Sequence, residues 1–155
     1  MIKLRKYKER DLDRHLELFL MNDICKKIND KIREQEKEWL KKVIANYKKE
    51  KPDFFTIAII LNDKLIGNLV AEKIDYKNKT LEIGFWIGKD YWGKGITTKA
   101  LNLFLKKIIK KFKPRKILAH HKKDNPASGR VLEKAGFNFE SEKKGMKIYS
   151  KLPKF

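Results

Sequence analysis

The chain has 155 residues, 41% of them hydrophobic, with nine Phe, five Tyr and three Trp, enough for one domain with a packed core. Its 39 Lys and Arg against 20 Asp and Glu leave a formal charge of +19, which attracts polyanions and argues against polyamine or aminoglycoside ligands unless acidic residues line their site. A single cysteine, Cys25, excludes an internal disulfide framework, and the longest apolar runs, such as Ile57–Leu61, are too short to span a bilayer.

Met1–Asp13 is charged and lacks the apolar core of a signal peptide. The expectation is therefore one cytoplasmic domain over 1–155, a monomer or small homo-oligomer with no membrane segment and no metal. Only six of the cations are Arg (5, 10, 14, 33, 115 and 130), and the Lys residues are spread over the whole length. Lys acts as a point charge where Arg reads phosphate bidentately. A solvated lysine surface and association with the ribosome or another polyanion both stay open.

In chain order, Ile2–Tyr7 alternates apolar and basic residues as a weak first strand. Leu12, Leu16, Phe19 and Leu20 recur at helical spacing behind Asp11, a residue suited to cap a helix. Trp39, Leu40, Val43, Ile44 and Tyr47 make the stripe of a second helix, stopped by Pro52. Phe54–Leu61 reads as a buried strand, Lys64–Ile74 as its hairpin partner, and Thr80–Ile87 as a further strand. A helix over Gly95–Lys111, ended by Pro114, leads to a strand over Arg115–His121. Asn125–Ala135 is a helix with Gly136 as its stop, and Phe137–Glu142 with Met146–Leu152 closes the chain as a hairpin. The order βααβββαβαββ describes a mixed sheet flanked by helices, an α/β (mixed α+β) domain. Thr80 to His121 should form a parallel crossover.

Between the strand ending at Ile87 and the next helix lies "YWGKGITT", with two of the chain's eight glycines two residues apart. Glycine so placed serves a special backbone angle or a close approach. Free N–H groups and the positive end of the helix dipole meet there, and Lys94 adds charge, so the loop suits a phosphate. It is neither a P-loop nor a full dinucleotide fingerprint.

Together with "NPASGRVLEKAGF" (Asn125 to Phe137) and the element order, this loop resembles the GNAT family of acetyl-CoA-dependent N-acetyltransferases. The branch it is most similar to is the RimJ/RimL-like one, which acetylates the N-termini of ribosomal proteins. The resemblance implies a sheet of about seven strands with four helices, splayed between strands 4 and 5. It implies acetyl-CoA as co-substrate and no metal. In the family's Gln/Arg-x-x-Gly-x-Gly/Ala loop, whose amides hold the CoA pyrophosphate, the matching window is Trp92, Gly93, Lys94, Gly95, Ile96 and Thr97, followed by Thr98. Trp92 stands where Gln or Arg is usual and Thr97 where a small residue is. The pantetheine arm is implied against Phe85, Trp86 and Ile87, and Asn125 matches an asparagine that contacts the cofactor.

For catalysis the resemblance implies Glu82 as general base, against a plain strand residue on the polar face. Leu132 stands where many relatives carry a Tyr acid, whereas Ser128 matches the serine of the RimJ/RimL-like branch, as acid or as donor to the thiol. His120 and His121 end a strand just before Asn125, so that one of them faces the cleft as a relay or both serve the strand surface. Cys25 reads as core filler, Trp39, Tyr47 and Phe54 as core, and Asn29–Glu38 as the specificity region between the first two helices. The acceptor implied is a protein or peptide N-terminal α-amine. A small amine such as a polyamine, or a nucleic-acid or ribosome-binding module on a degenerate acetyltransferase fold, are the alternatives.

Overall fold

The computed structural model describes residues 1–154. Its seven strands are β1 (Ile2–Arg5), β2 (Phe55–Leu61), β3 (Lys64–Asp75), β4 (Thr80–Ile87), β5 (Lys116–Lys122), β6 (Asn138–Lys143) and β7 (Met146–Lys151). Four helices, α1 (Leu12–Met21), α2 (Asp30–Asn46), α3 (Ile96–Phe112) and α4 (Pro126–Lys134), flank one mixed sheet in the order β1-β2-β3-β4-β5-β7-β6.

Alternation along β4 explains the layers. Leu81, Ile83 and Ile87 join a core with Leu101, Phe104 and Ile108, the buried stripe of α3. Burying a side chain such as Phe104 contributes roughly 1.5–3 kcal/mol. Trp86, of opposite parity, packs instead with Leu18 of α1 and with Leu40 and Val43 of α2.

Every neighbouring strand pair is antiparallel except β4–β5. That parallel ladder runs only from Thr80 opposite Lys116 to Ile83 opposite Ala119. Beyond it, Gly84–Ile87 pair with β3 alone, and His120–Lys122 pair with β7 alone. The two strands therefore diverge, leaving one edge of β4 without a ladder partner over its last four residues.

Several sequence expectations are corrected. Asp11 takes the N-cap position of α1 but makes no side-chain cap bond, and it closes a 3-10 turn over Glu9–Asp11. Its carboxylate accepts from both terminal nitrogens of Arg5 at 2.8 and 2.9 Å and from the Lys8 N–H at 2.7 Å, tying β1 to α1. The stretch Asn29–Glu38 is no loop. Asn29 Oδ1 accepts from the Ile32 N–H at 2.8 Å, and Asp30–Glu38 form the first half of α2. That half is charged almost throughout, so it carries no apolar stripe to reveal it.

Trp39, Tyr47 and Phe54 are half-buried and pack against the core from its margin. Tyr47 hydroxyl donates to the Thr56 carbonyl at 2.6 Å and accepts from the Tyr7 N–H at 2.8 Å, and burial pushes its pKa up to about 12. Cys25 is half-buried in the α1–α2 loop beside the exposed Ile24, so it does not fill the core.

Candidate active site

Gly93 and Gly95 both lie in the left-handed region, at φ 73° and 74°, which explains their spacing. A Cβ built on either would meet no atom within 4 Å, so the backbone here faces open space. Gly95 is the N-cap of α3 and supplies no side-chain cap bond. The first N–H groups of a helix have no intrahelical partner. Here they look into a cavity of about 200 Å³ lined by Gly93, Gly95, Ile96, Thr97, Thr98, Arg130 and Lys134. Sequence reasoning missed Arg130 and Lys134, although their four-residue spacing places both on one face of α4.

A cleft of about 260 Å³ adjoins this cradle through Gly93 and Thr97. Phe85, Trp86, Ile87 and Trp92 line it from β4 and the loop, and Asn125, Ser128 and Val131 from α4. Lys94 lines neither cavity: it is exposed, and its ammonium donates to the Asp90 carbonyl at 3.1 Å. Trp92 takes a structural post, its indole N–H donating to the Ile87 carbonyl at 3.0 Å. Asn22, also missed from sequence, donates to the same carbonyl at 2.9 Å and accepts from the Lys89 N–H at 2.7 Å. It pins the exit of β4, a role invisible in sequence because its partners lie more than sixty residues away.

Asn125 does not cap α4 through its side chain. Its amide donates to Ser128 Oγ at 3.0 Å, which leaves the serine proton free to point into the cleft. Leu132 is fully buried in the main core, away from the cleft lining.

Glu82 lies apart from Ser128. It precedes Ile83, the last β4 residue paired with β5, and shares Trp86's side of the sheet by alternation. Its side chain is 12% exposed, with one oxygen in contact with His120 Nδ1 and the other 3.2 Å from Lys73 Nζ. His121 points the opposite way and is buried under α4. Its Nδ1 donates to the Lys122 carbonyl at 2.7 Å, and its Nε2 lies 3.4 Å from the Tyr149 hydroxyl.

On the same side as Glu82, a cavity of about 600 Å³ is walled by His15, Phe19, Trp39, Phe54 and Trp86. The carboxylates Glu36, Asp53 and Glu72 line it beside Lys42 and Lys73. His15 stacks on Trp39 at 4.6 Å and meets Glu36 through Nε2 at 2.8 Å, while its buried Nδ1 has no partner among the described residues. Burial lowers the His15 pKa below 6.5, with Glu36 pulling the other way. Trp86 lines both this cavity and the cleft.

The site is thus a sheet splayed at its one parallel pair, with a glycine turn at a helix N-terminus beside the gap. The chain belongs to the GNAT acetyltransferase family: the acetyltransferase (GNAT) domain matches residues 2–138. It is similar to the ribosomal-protein-serine acetyltransferase of Escherichia coli (strain K12), 33% identical over 82 residues that cover 53% of this chain and 46% of that protein. In structure it is similar to RimL, a ribosomal α-N-protein acetyltransferase in complex with coenzyme A, with a TM-score of 0.82, 20% identity, and 97% and 93% of the two chains covered. A spermidine N-acetyltransferase chimera from Vibrio cholerae and hSSAT has a TM-score of 0.77 at 21% identity, covering 97% and 95%. The chain spans about half the length of the curated relatives it matches. Among the described residues no helix is long and apolar enough to cross a membrane, and no three His, Cys, Asp or Glu cluster as metal ligands do.

Proposed function

We propose that the chain moves the acetyl group of acetyl-CoA to a primary amine by direct attack in a ternary complex, in the cytoplasm. The observation that carries this reading is the row of neighbouring cavities: the glycine cradle and the β4-edge cleft share Gly93 and Thr97, and that cleft and the larger cavity share Trp86. The first amides of α3 suit the pyrophosphate, with Arg130 and Lys134 adding charge from α4. The gap-side backbone groups of Gly84–Trp86 suit the amides of the pantetheine arm, as a strand edge suits any extended partner, whereas the Ile87 carbonyl is already taken by Asn22 and Trp92. Ser128, which lines the cleft, would donate to the departing thiolate, and Glu82 stands at the closed end of the gap.

For the acceptor we propose a protein or peptide N-terminal α-amine of the ribosomal-protein type, in the RimJ/RimL-like manner. Such an amine has a pKa near 7.7–8.0, so about a tenth or more is neutral at pH 7, whereas a lysine near 10.4 needs far more help. One observation favours a second reading, a small polycationic amine. The acceptor-side cavity carries Glu36, Asp53 and Glu72, which locally offset the +19 charge that disfavours polyamines.

Isothermal titration with acetyl-CoA tests the first step, and absence of binding at high micromolar cofactor would sink the proposal. Thiol release with serine- and alanine-initiated peptides against spermidine then separates the two acceptor classes.

A further inference from the structure

We propose that His120, positioned by Glu82, is the base that takes the proton from the attacking amine; the assignment rests on the acetyl-transfer reading above. The gap between β4 and β5 closes at Ile83 and Ala119. An arm anchored at the Gly93–Gly95 cradle and lying along β4 brings its far end down toward that closure. Two side chains flank the closure on the Trp86 side of the sheet: Glu82, one residue before it on β4, and His120, one residue after it on β5. Ala119 and Ile117 face the α3 core, so Leu118 and His120 face the other way. His120 and Glu82 line a groove of about 370 Å³, and Lys73 lines both this groove and the acceptor-side cavity.

The contacts divide the labour between the two. Both oxygens of Glu82 are engaged, by His120 Nδ1 and by Lys73, and little of the side chain meets solvent. His120 is 42% exposed, and no hydrogen bond to its Nε2 occurs among the described residues. A carboxylate this close to Nδ1 favours the ring proton there by charge and frees the Nε2 lone pair, the tautomer a base requires. The charged groups facing His120 are Glu82 from β4, Lys73 from β3, and Lys143 and Lys144 from the β6–β7 hairpin.

The step balances as follows. The amine nitrogen bonds to the thioester carbonyl carbon, the carbon–sulfur bond breaks, and the amine proton passes to His120 Nε2 and on to water. The sulfur leaves as thiolate and takes the Ser128 hydroxyl proton, which water replaces.

General-base help is typically worth about 10²–10⁴-fold. His120→Gln is expected to lower kcat by about a hundredfold or more, with acetyl-CoA affinity by titration kept within threefold. Glu82→Gln is expected to cost about tenfold, because the imidazole remains, and the double variant to be no slower than His120→Gln alone. The acid limb of the pH–rate profile should persist in Glu82→Gln and vanish in His120→Gln. Serine-initiated peptide and spermidine serve as acceptors. A His120→Gln enzyme within threefold of the parent, or a Glu82→Gln loss larger than the His120→Gln loss, overturns the assignment and makes Glu82 the base. Where acetyl-CoA binds and neither acceptor turns over, the acceptor reading fails, and histidine ¹⁵N NMR still decides the pairing. A His120 Nδ1–H tautomer that Glu82→Gln disturbs supports the proposal, and an Nε2–H tautomer or an indifferent spectrum overturns it.

Discussion

Gly95→Glu tests the phosphate cradle, and Gly145→Glu is its matched control. The two glycines share backbone geometry, φ 74° and 78°, and a Cβ at either meets nothing within 4 Å. Each substitution should therefore cost only the left-handed strain of a side-chain-bearing residue, about 1–2 kcal/mol, which a domain stable by about 5–15 kcal/mol survives. Binding separates them. A carboxylate about 5 Å from one pyrophosphate charge costs about 3 kcal/mol at an effective dielectric of about 20. That is roughly a hundredfold in affinity, and it falls where α3 offers its amides. Gly145 turns the β6–β7 hairpin beside Lys122, Lys123 and Asp124 and lines neither the cradle nor the cleft. We expect urea denaturation to show similar losses for both variants. Acetyl-CoA titration should show a loss of about a hundredfold for Gly95→Glu and less than threefold for Gly145→Glu. Affinity within threefold of the parent in Gly95→Glu, or an equal loss in the control, refutes the cradle.

Ser128→Ala is expected to cut turnover about ten- to a hundredfold, roughly 1.4–2.7 kcal/mol, because a CoA thiolate leaves partly unaided. Acetyl-CoA affinity should stay nearly unchanged, and full turnover would hand that proton to solvent. Arg5→Ala should cost about 1.5–3 kcal/mol at pH 7, since it strips the two charged hydrogen bonds from Asp11. Burial pushes the Asp11 carboxyl up, but Arg5 and the Lys8 N–H more than offset this and hold it below 3.8. A lowered folded pKa means stability present above the unfolded carboxylate range and lost as pH falls through the folded value. The gap between parent and variant, measured by denaturation, should therefore be full above about pH 5 and shrink toward pH 2. A gap independent of pH would show that the pairing is not its source.

Local chemistry made much of this protein readable in one dimension. Alternation and helical spacing marked the strands and most helices, because each element buries one face and that periodicity is written in neighbouring residues. The positive φ of Gly93 and Gly95 was legible for the same reason, as a backbone demand met by residues two apart. The first half of α2 was not, since a charged helix held by an asparagine cap shows no stripe. Nor was the true office of Asp11, whose partner Arg5 outcompetes a capping role. The candidate site divides along the same line. Its glycines, Asn125 and Ser128 lie in two contiguous runs, and each run folds as a unit. The pairing of Glu82 with His120, of His15 with Glu36, and of Asn22 with Ile87 exists only because β5 is drawn toward β7 and α1 is laid over β4. Spacing along a chain cannot report such meetings, because side chains far apart in sequence become neighbours only when the sheet order and the splay are set by packing.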